Sequence, residues 1–246
     1  MKKNTFKTII FILLVIILIA TPLIYKMIRS KKMEQAPPPP VSQDFLKKSL
    51  NTDTQITKDK LPDEIFIQVP FIIQAPFANW DVLHEESCEE ASLIMMAHFY
   101  NKTPVGDQAQ WEKEIQDLVS WETTHGYKQD VTMSELAQIA KDYYGLSATA
   151  KYNISVDDIK IELATGHPII VPAAGKILPN PNFRNGGPNY HNLVVTGYDF
   201  QGFITNDPGT RNGENFRYTY DSLFNAIHDY NSENMFYGPK AYLVFE

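Results

Sequence analysis

The chain has 246 residues, of which 43% are hydrophobic and 21% are charged, so it can form one or two folded domains with a sizeable core. The net charge of −7, without a basic stripe, argues against nucleic-acid binding. A single cysteine excludes an internal disulfide and a cysteine-rich zinc site, and without an H-E-x-x-H motif we expect neither metal nor cofactor.

An apolar segment near the N-terminus is the first predicted element. Residues 9–28 are predominantly Ile, Leu, Val and Phe with basic residues on both sides, and a membrane-spanning helix needs about 20 apolar residues. We interpret them as a transmembrane signal anchor that follows a short tail, residues 1–8. A cleaved signal peptide is the alternative, but the region around Ala20 lacks a small-residue cleavage pattern. The sequence therefore predicts a single-pass membrane protein whose folded domain is extracytoplasmic.

A linker, residues 29–64, follows the predicted anchor. Residues 37–40 are four consecutive prolines, which favour an extended polyproline II conformation. The remainder of the linker is polar and only weakly patterned. This composition is typical of a stalk, and we place the folded domain at residues 65–246.

The folded domain begins mainly with helices and ends mainly with strands. Partial alternation predicts a strand over residues 65–70. Apolar spacings of three and four residues predict helices over residues 86–100, 107–121, 133–144 and 156–164. Short apolar runs predict strands over residues 169–173, 191–198, 203–206, 216–218 and 242–245, with a short helix over residues 221–227. Helices followed by antiparallel strands are typical of an α+β domain.

Cys88 opens the apolar stripe of the first long helix. Residues 87–90 read Ser-Cys-Glu-Glu, which fits a capping box with Ser87 as N-cap and Glu90 as its partner. Cys88 then lies in the first turn, where the helix dipole and free N–H groups stabilise a thiolate, the nucleophilic form. The alternative is that Cys88 is simply a small buried apolar residue. Four glutamates lie within residues 85–90, and their negative charge raises the pKa of a thiol.

His191 is the best candidate for a general base among the six histidines. It opens one predicted strand, and the next predicted strand ends directly before Asp207 and Pro208. If the two strands form a hairpin, His191 and Asp207 meet at its open end, as a base and its orienting carboxylate require. His84, close to Cys88 in sequence, is an alternative base, and Asp207 with the Pro-Gly after it is alternatively a simple turn.

An acyl-transfer site also needs hydrogen-bond donors for the oxyanion of its tetrahedral intermediate. The backbone N–H of Cys88 at the helix start is one candidate, and Gln74, which follows a predicted strand, is the other. Residues 175–189 are rich in Pro, Asn and Gly and lead into His191. We expect them to line a substrate groove.

Three blocks of the sequence together resemble the papain-like cysteine peptidases, and among these the bacteriocin-leader-processing peptidases of family thirty-nine. They are residues 69–74 (VPFIIQ), residues 87–92 (SCEEAS), and residues 191–199 (HNLVVTGYD) continued by residues 206–209 (NDPG). The resemblance covers roughly the whole folded domain. It implies a papain-like fold, in which an N-terminal helical part carries the cysteine and a C-terminal antiparallel sheet carries the histidine and the aspartate.

The resemblance implies roles for four residues. Gln74 is the implied oxyanion donor, Cys88 the nucleophile, His191 the general base and acid, and Asp207 the residue that orients His191. The implied activity is hydrolysis of peptide bonds through a thioester acyl-enzyme, on a peptide or protein substrate such as a cell-wall peptide. The processing peptidases tend to have Gly-Pro after the cysteine where this chain has Glu-Glu, so leader processing itself is not implied.

Two other functions remain open from the sequence. The same residues serve an acyltransferase or transpeptidase, in which an amine instead of water accepts the acyl group. A catalytically inactive surface binding domain of the same fold is the other possibility. The four glutamates around Cys88 favour it, because their charge opposes thiolate formation.

Overall fold

The computed structural model describes residues 61–246, which contain the whole predicted folded domain. The predicted tail, the signal anchor and most of the linker lie in residues 1–60, outside the described residues. Among residues 61–246, no helix combines the length and the apolar character needed to cross a membrane.

The described part of the chain contains six α-helices and seven strands. The helices are α1 (Val82–Glu85), α2 (Cys88–Asn101), α3 (Gln108–Thr124), α4 (Met133–Tyr144), α5 (Val156–Ala164) and α6 (Tyr220–Ala226). The strands are β1 (Ile65–Phe66), β2 (Ala148–Tyr152), β3 (Ile169–Ala174), β4 (Tyr190–Asp199), β5 (Gly202–Asn206), β6 (Phe216–Tyr218) and β7 (Ala241–Phe245). Helices α4 and α5 and strand β6 have the predicted bounds.

The strands form one antiparallel sheet. Their order is β2-β7-β3-β4-β5-β6, and β1 pairs with the far end of β4. Strand β4 is buried along its whole length, because β3, β5 and β1 flank it and helices α2 and α5 pack against it. The predicted α+β class with an antiparallel sheet is therefore confirmed.

The core fixes the start of α2 beside β4. The apolar stripe that begins at Cys88 continues through Ala91, Met95 and Met96, which are completely buried. Burial of a methionine-sized side chain contributes about 1.5–3 kcal/mol. The side of α2 that carries the cysteine is therefore held inside the domain.

Two parts of the fold differ from the prediction. The first strand, expected over residues 65–70, ends at Phe66, because the backbone then turns: the Val69 N–H donates to Ile67 O at 3.0 Å, and Asn206 Nδ2 donates to Val69 O at 3.1 Å. Strand β2 was not predicted. It has only half-buried and exposed residues and lies at the edge of the sheet, so no regular apolar alternation marks it.

A β-bulge interrupts the pairing of β4 with β5. The register shifts between Val195 and Gly197, which leaves Thr196 as an extra residue in β4. Gly197 is needed at this point because β1 comes very close: a Cβ atom there would lie 2.2 Å from Ile65 O. The bulge displaces the open end of the hairpin by one residue relative to its turn.

Candidate active site

His191 and Asp207 are neighbours at the open end of the β4–β5 hairpin. His191 is the second residue of β4, and Asp207 directly follows β5. His191 Nε2 lies 2.8 Å from Asp207 Oδ1, and both side chains are almost completely buried. Because a carboxylate only accepts hydrogen bonds, this contact assigns a proton to Nε2 and leaves Nδ1 as the basic nitrogen of the neutral ring.

The Asp207 carboxylate is held by several donors. The Gly209 N–H donates to Oδ1 at 3.0 Å, and Tyr218 Oη and Asn180 Nδ2 donate to Oδ2 at 2.6 and 3.0 Å. Burial raises the pKa of Asp207, but the charge of His191 and the hydrogen bonds from His191, Tyr218 and Gly209 outweigh it, so the pKa lies below its ordinary range. Asp207 is therefore an anion that can orient His191 and stabilise its protonated form.

The imidazole ring of His191 is held on its sides but has a free nitrogen. Phe183 packs edge-on against it, with 5.3 Å between the ring centroids. Gly209 also lies against it, since a Cβ atom there would be 3.0 Å from His191 Cε1. Nδ1 is buried and has no hydrogen-bond partner among residues 61–246. Such a nitrogen is available to accept a proton.

Cys88 is the first residue of α2, and only 3% of it is exposed. The predicted capping box is wrong, because Ser87 makes no side-chain bond to the helix and its Oγ donates to Leu83 O at 2.6 Å. Glu90 instead interacts with Glu122 of α3. The Ser87 hydroxyl therefore leaves the first N–H groups of α2 uncapped beside Cys88.

The Cys88 thiol is directed to Glu89. Its Sγ donates to Glu89 Oε2 at 2.9 Å, and the backbone N–H of Asn192 also lies beside the sulfur. Burial raises the pKa of the thiol well above its ordinary range, and the charge and hydrogen bond of Glu89 add to this. Across the described region no hydrogen bond joins Cys88 to His191. The resting thiol is therefore protonated and lies beside the residue that follows His191.

Gln74 precedes α1, and its side-chain amide is bound to backbone carbonyls. Nε2 donates to the carbonyls of His84 and Glu85 at 2.8 and 3.2 Å, and the backbone N–H donates to Pro208 O at 3.0 Å. Oε1 is buried and lacks a hydrogen-bond partner in the part of the chain that the structure describes. Gln74 thus joins the chain before α2 to the segment after Asp207.

A cleft of about 420 Å³ opens beside His191. The segment that the sequence predicts to line a groove supplies one wall, through Lys176, Phe183, Arg184, Asn185, Gly187, Pro188 and Asn189. Gln74, Trp80, Glu85, Glu86 and Asp130 also line the cleft. Arg184 connects the two sets of lining residues: its Nη1 lies 3.8 Å from Glu85 Oε1, and its guanidinium lies over the Trp80 ring. The volume is in the range of pockets that bind small ligands or short peptide segments.

Buried carboxylates surround the start of α2. Glu89, Glu90 and Glu122 are only 1%, 3% and 5% exposed. Burial raises the pKa of each, and that of Glu122 reaches about 7. Two carboxyl groups in contact favour sharing one proton over ionising together. The Glu90–Glu122 pair therefore retains a proton to a higher pH than an exposed carboxylate.

His84, the alternative base, is engaged away from the thiol. Its Nδ1 lies 2.7 Å from Asp81 Oδ1, and its Nε2 lies 3.0 Å from Glu112 Oε1. The side chain thus joins α1 to α3. With both ring nitrogens occupied, His84 has no free nitrogen for proton transfer, whereas His191 has one.

Three residues of the site were not assigned from the sequence. Glu89 holds the thiol, and Tyr218 and Asn180 hold Asp207. The position of Glu89 directly after Cys88 is a signal that could have identified it. No local signal marks Tyr218 or Asn180, because they reach Asp207 only when β6 and the segment 175–189 fold onto the hairpin.

Comparisons with known proteins agree with this arrangement at the level of the family. The model of the Peptidase_C39 like family matches residues 66–237, more than half of the chain. None of the curated proteins matches. A C39-like peptidase from Bacillus anthracis is similar to this chain at 16% identity and a TM-score of 0.48, over 75% of this chain and 98% of that chain. Xylellain, a cysteine protease from Xylella fastidiosa, is similar at 15% identity and a TM-score of 0.39, over 85% of this chain and 94% of that chain.

The family match includes every residue that the sequence singled out for chemistry. Gln74, Cys88, His191 and Asp207 all lie within residues 66–237. The expected relation to papain-like cysteine peptidases of family thirty-nine is thereby confirmed. The chain belongs to the Peptidase_C39 like family and is a cysteine-type peptidase.

Proposed function

We propose that Cys88, His191 and Asp207 together hydrolyse peptide bonds through a thioester acyl-enzyme. The observation that carries the proposal is the buried His191–Asp207 pair, with 2.8 Å between Nε2 and Oδ1 and, within residues 61–246, no partner on Nδ1. An oriented imidazole with a free nitrogen is what a general base requires. Cys88 is the single cysteine of the chain and starts the helix that packs against the strand of His191.

Acylation begins when His191 Nδ1 takes the thiol proton and the Cys88 sulfur bonds to the carbonyl carbon of the scissile peptide. His191 then gives this proton to the leaving nitrogen, the C–N bond breaks, and a thioester remains on Cys88. Asp207 stays ionised and stabilises the protonated ring while it exists.

Deacylation repeats the same proton movements with water. His191 takes a proton from water as the water oxygen bonds to the thioester carbon. The C–S bond then breaks, the acid product leaves, and His191 returns a proton to the Cys88 sulfur. The enzyme thus regains its starting protonation state.

The oxyanion of each tetrahedral intermediate needs donors near Cys88. We assign the first to the backbone N–H of Cys88, since N–H groups in the first turn of a helix have no partner within that helix. We assign the second to Gln74 Nε2. It now donates to His84 O and Glu85 O, so it must exchange one of these carbonyls for the oxyanion.

The test compares the wild-type full chain with Cys88→Ala and His191→Ala. Labelling by a thiol-directed probe and hydrolysis of a mixed peptide library are measured, with products identified by mass spectrometry. We expect Cys88→Ala to abolish both, and His191→Ala to abolish hydrolysis. Hydrolysis that persists in Cys88→Ala overturns the proposal. An excess of a primary amine separates hydrolysis from acyl transfer, because amide products in place of acids would identify a transferase.

We also propose that residues 9–28 anchor the enzyme in a membrane, with the peptidase domain outside the cytoplasm and a peptide or protein, such as a cell-wall peptide, as substrate. The apolar run and its basic flanks support this proposal. Membrane fractionation of the full chain and of a variant without residues 1–28 tests it, together with digestion by protease added to intact cells. Recovery of the full chain in the soluble fraction would contradict the anchor, and protection from the protease would contradict the orientation.

A further inference from the structure

We propose that Glu89 is a positioning residue that keeps the Cys88 thiol protonated and turned away from His191, so that the resting enzyme is latent until this contact opens. The inference rests on the proposed role of Cys88 as nucleophile. Two observations support it: the 2.9 Å contact between Cys88 Sγ and Glu89 Oε2, and the buried His191 Nδ1, which finds no hydrogen-bond partner in residues 61–246.

The Cys88 thiol can donate its proton to only one of two possible acceptors. A thiol carries one hydrogen atom, so Cys88 donates either to Glu89 or to His191. In the structure it donates to Glu89, while His191 is fixed on Asp207 through Nε2 and keeps the lone pair of Nδ1 free. Transfer of the proton to His191 therefore requires Cys88 to leave Glu89 first.

Glu89 in turn depends on the thiol. Only 1% of Glu89 is exposed, and its Oε1 lies 3.5 Å from the Val131 N–H, which is long for a hydrogen bond. Burial raises the pKa of Glu89 well above its ordinary range, the charge of Glu90 adds to this, and the hydrogen bond from Cys88 opposes it. The other donors to this buried carboxyl are the Val131 N–H and the backbone N–H of Glu89 itself. A donor as close as the thiol adds to them, so the contact is favourable for both partners.

The surroundings of Glu89 contain further acidic groups from several elements. They are Glu90 of α2, Glu122 of α3, Asp130 before α4, Tyr190 of β4, and Tyr230 after α6. Each is a carboxyl or a phenol, so none offers a positive charge to a thiolate. Loss of the Glu89 carboxyl therefore removes the acceptor that now holds the thiol proton, and the helix dipole then favours a thiolate at the first position of α2.

The test measures the rate of Cys88 alkylation by iodoacetamide against pH, in the full chain and in Glu89→Gln. Glutamine keeps the shape of glutamate, and its neutral amide can donate to a thiolate. We therefore expect the midpoint of the profile to fall by about one pH unit or more, which raises the thiolate fraction at neutral pH about tenfold per unit. Because nucleophilicity falls with thiol pKa, the alkylation rate then rises about threefold per unit.

Two further variants keep the result specific. Glu89→Met removes the charge and the hydrogen bond at similar volume, and we expect a downward shift of the midpoint that is smaller than that of Glu89→Gln. Glu162→Gln is the matched control, since Glu162 is a half-buried carboxylate of α5 that accepts from Tyr242 at 2.9 Å. It should leave the midpoint unchanged. Cys88→Ala gives the unlabelled background.

The proposal is overturned if the wild-type midpoint lies below that of a free thiol, about 8.5. It is also overturned if a folded Glu89→Gln or Glu89→Met protein, checked by circular dichroism, keeps the wild-type midpoint. Hydrolysis that persists in Cys88→Ala contradicts the proposed function and not this proposal. The effect of Glu89 on the midpoint of Cys88 alkylation can still be measured in that case.

Discussion

Asp207 shares a face of the sheet with His191 because the extra residue Thr196 shifts the register of their hairpin. The resulting distance between His191 Nε2 and Asp207 Oδ1 is 2.8 Å. Side chains alternate between the two faces of a strand, so a shift of one residue decides which face a side chain joins. The bulge therefore determines whether the base and its carboxylate can meet.

The pairs on either side of the bulge show this directly. Next to the turn, Asp199 pairs with Gly202, and that register, if continued, would place Asp207 opposite Val194 on the face away from His191. Beyond the bulge, Val194 pairs with Asn206 instead. Asp207 then falls one position further and joins the face that carries His191.

Replacing Asp207 by asparagine should disable the base while conserving its shape. The neutral asparagine no longer stabilises the protonated ring, and an amide that donates to His191 Nε2 moves the ring proton to Nδ1, where it blocks acceptance of the thiol proton. We expect kcat/KM to fall about 100-fold or more, since the same change in a serine-peptidase triad costs about 10⁴-fold. Steady-state kinetics on a peptide cleaved by the wild type measure this.

A matched control lies at the other end of the same hairpin. Asp199 is a buried carboxylate that accepts from Arg217 at 2.7 Å, far along β4 from His191. Asp199→Asn should lower stability but keep kcat/KM within a few-fold of wild type. Equal losses of activity in both variants would show that any buried charge in the hairpin is needed, and not the Asp207 carboxylate in particular.

Replacing Tyr218 by phenylalanine should remove one of the hydrogen bonds that stabilise the Asp207 carboxylate and leave the others in place. The 2.6 Å hydrogen bond to Oδ2 is lost, and hydrogen bonds to charged groups contribute about 1.5–3 kcal/mol to stability. The pKa of Asp207 lies below its ordinary range, so its stabilising effect is present above that range and is lost as the pH falls through the folded-state pKa. Tyr218→Phe raises this pKa, and acid unfolding should therefore begin at a higher pH than in wild type, as followed by circular dichroism.

Replacing Gly209 by alanine should displace the His191 ring. The new Cβ atom would lie 3.0 Å from both His191 Cε1 and Phe183 Cε1 and 3.2 Å from Asp207 Oδ1, so these groups must move by a few tenths of an ångström. Since a misplacement of 1 Å can cost about 100-fold, we expect a loss in kcat of about three- to tenfold. Gly126→Ala, at an open position with a φ of 84°, should cost stability but not kcat. An unchanged kcat in Gly209→Ala would show that the ring tolerates this crowding.

The sequence identifies the residues that form the His191–Asp207 pair better than it predicts how they come together. His191 and Asp207 are recognisable because a polar residue begins one apolar run and another ends the next. Thr196 gives no sign of a bulge, because it lies in an unbroken strand-like run and its extra position depends on how β1 and β5 meet β4. The capping box failed for a similar reason: Glu90 contacts Glu122, which lies far along the chain, in place of its local partner. The local sequence pattern thus identifies the residues of the site, whereas tertiary contacts determine the orientation of their side chains.

The buried carboxylates near α2 should make stability decrease between mildly acidic and neutral pH. The pKa of Glu122 rises from 4.5 to about 7 on folding, chiefly through burial. A carboxyl group with a raised folded-state pKa binds its proton more tightly when folded, so its contribution to stability is complete below the unfolded pKa and is lost as the pH rises to the folded one. The window of loss for Glu122 is therefore pH 4.5 to about 7.

Glu122→Gln should remove much of this loss, because glutamine stays neutral beside Glu90 at every pH. One pKa unit corresponds to about 1.4 kcal/mol, and part of the shift belongs to the Glu90–Glu122 pair as a whole, so we expect a gain of about 1–3 kcal/mol at pH 7.5. Urea unfolding at pH 4.5 and at pH 7.5 measures it, and the variant should differ from wild type mainly at the higher pH. An equal effect at both pH values would mean that the change acts through packing, since ionisation of Glu122 contributes only above its unfolded pKa.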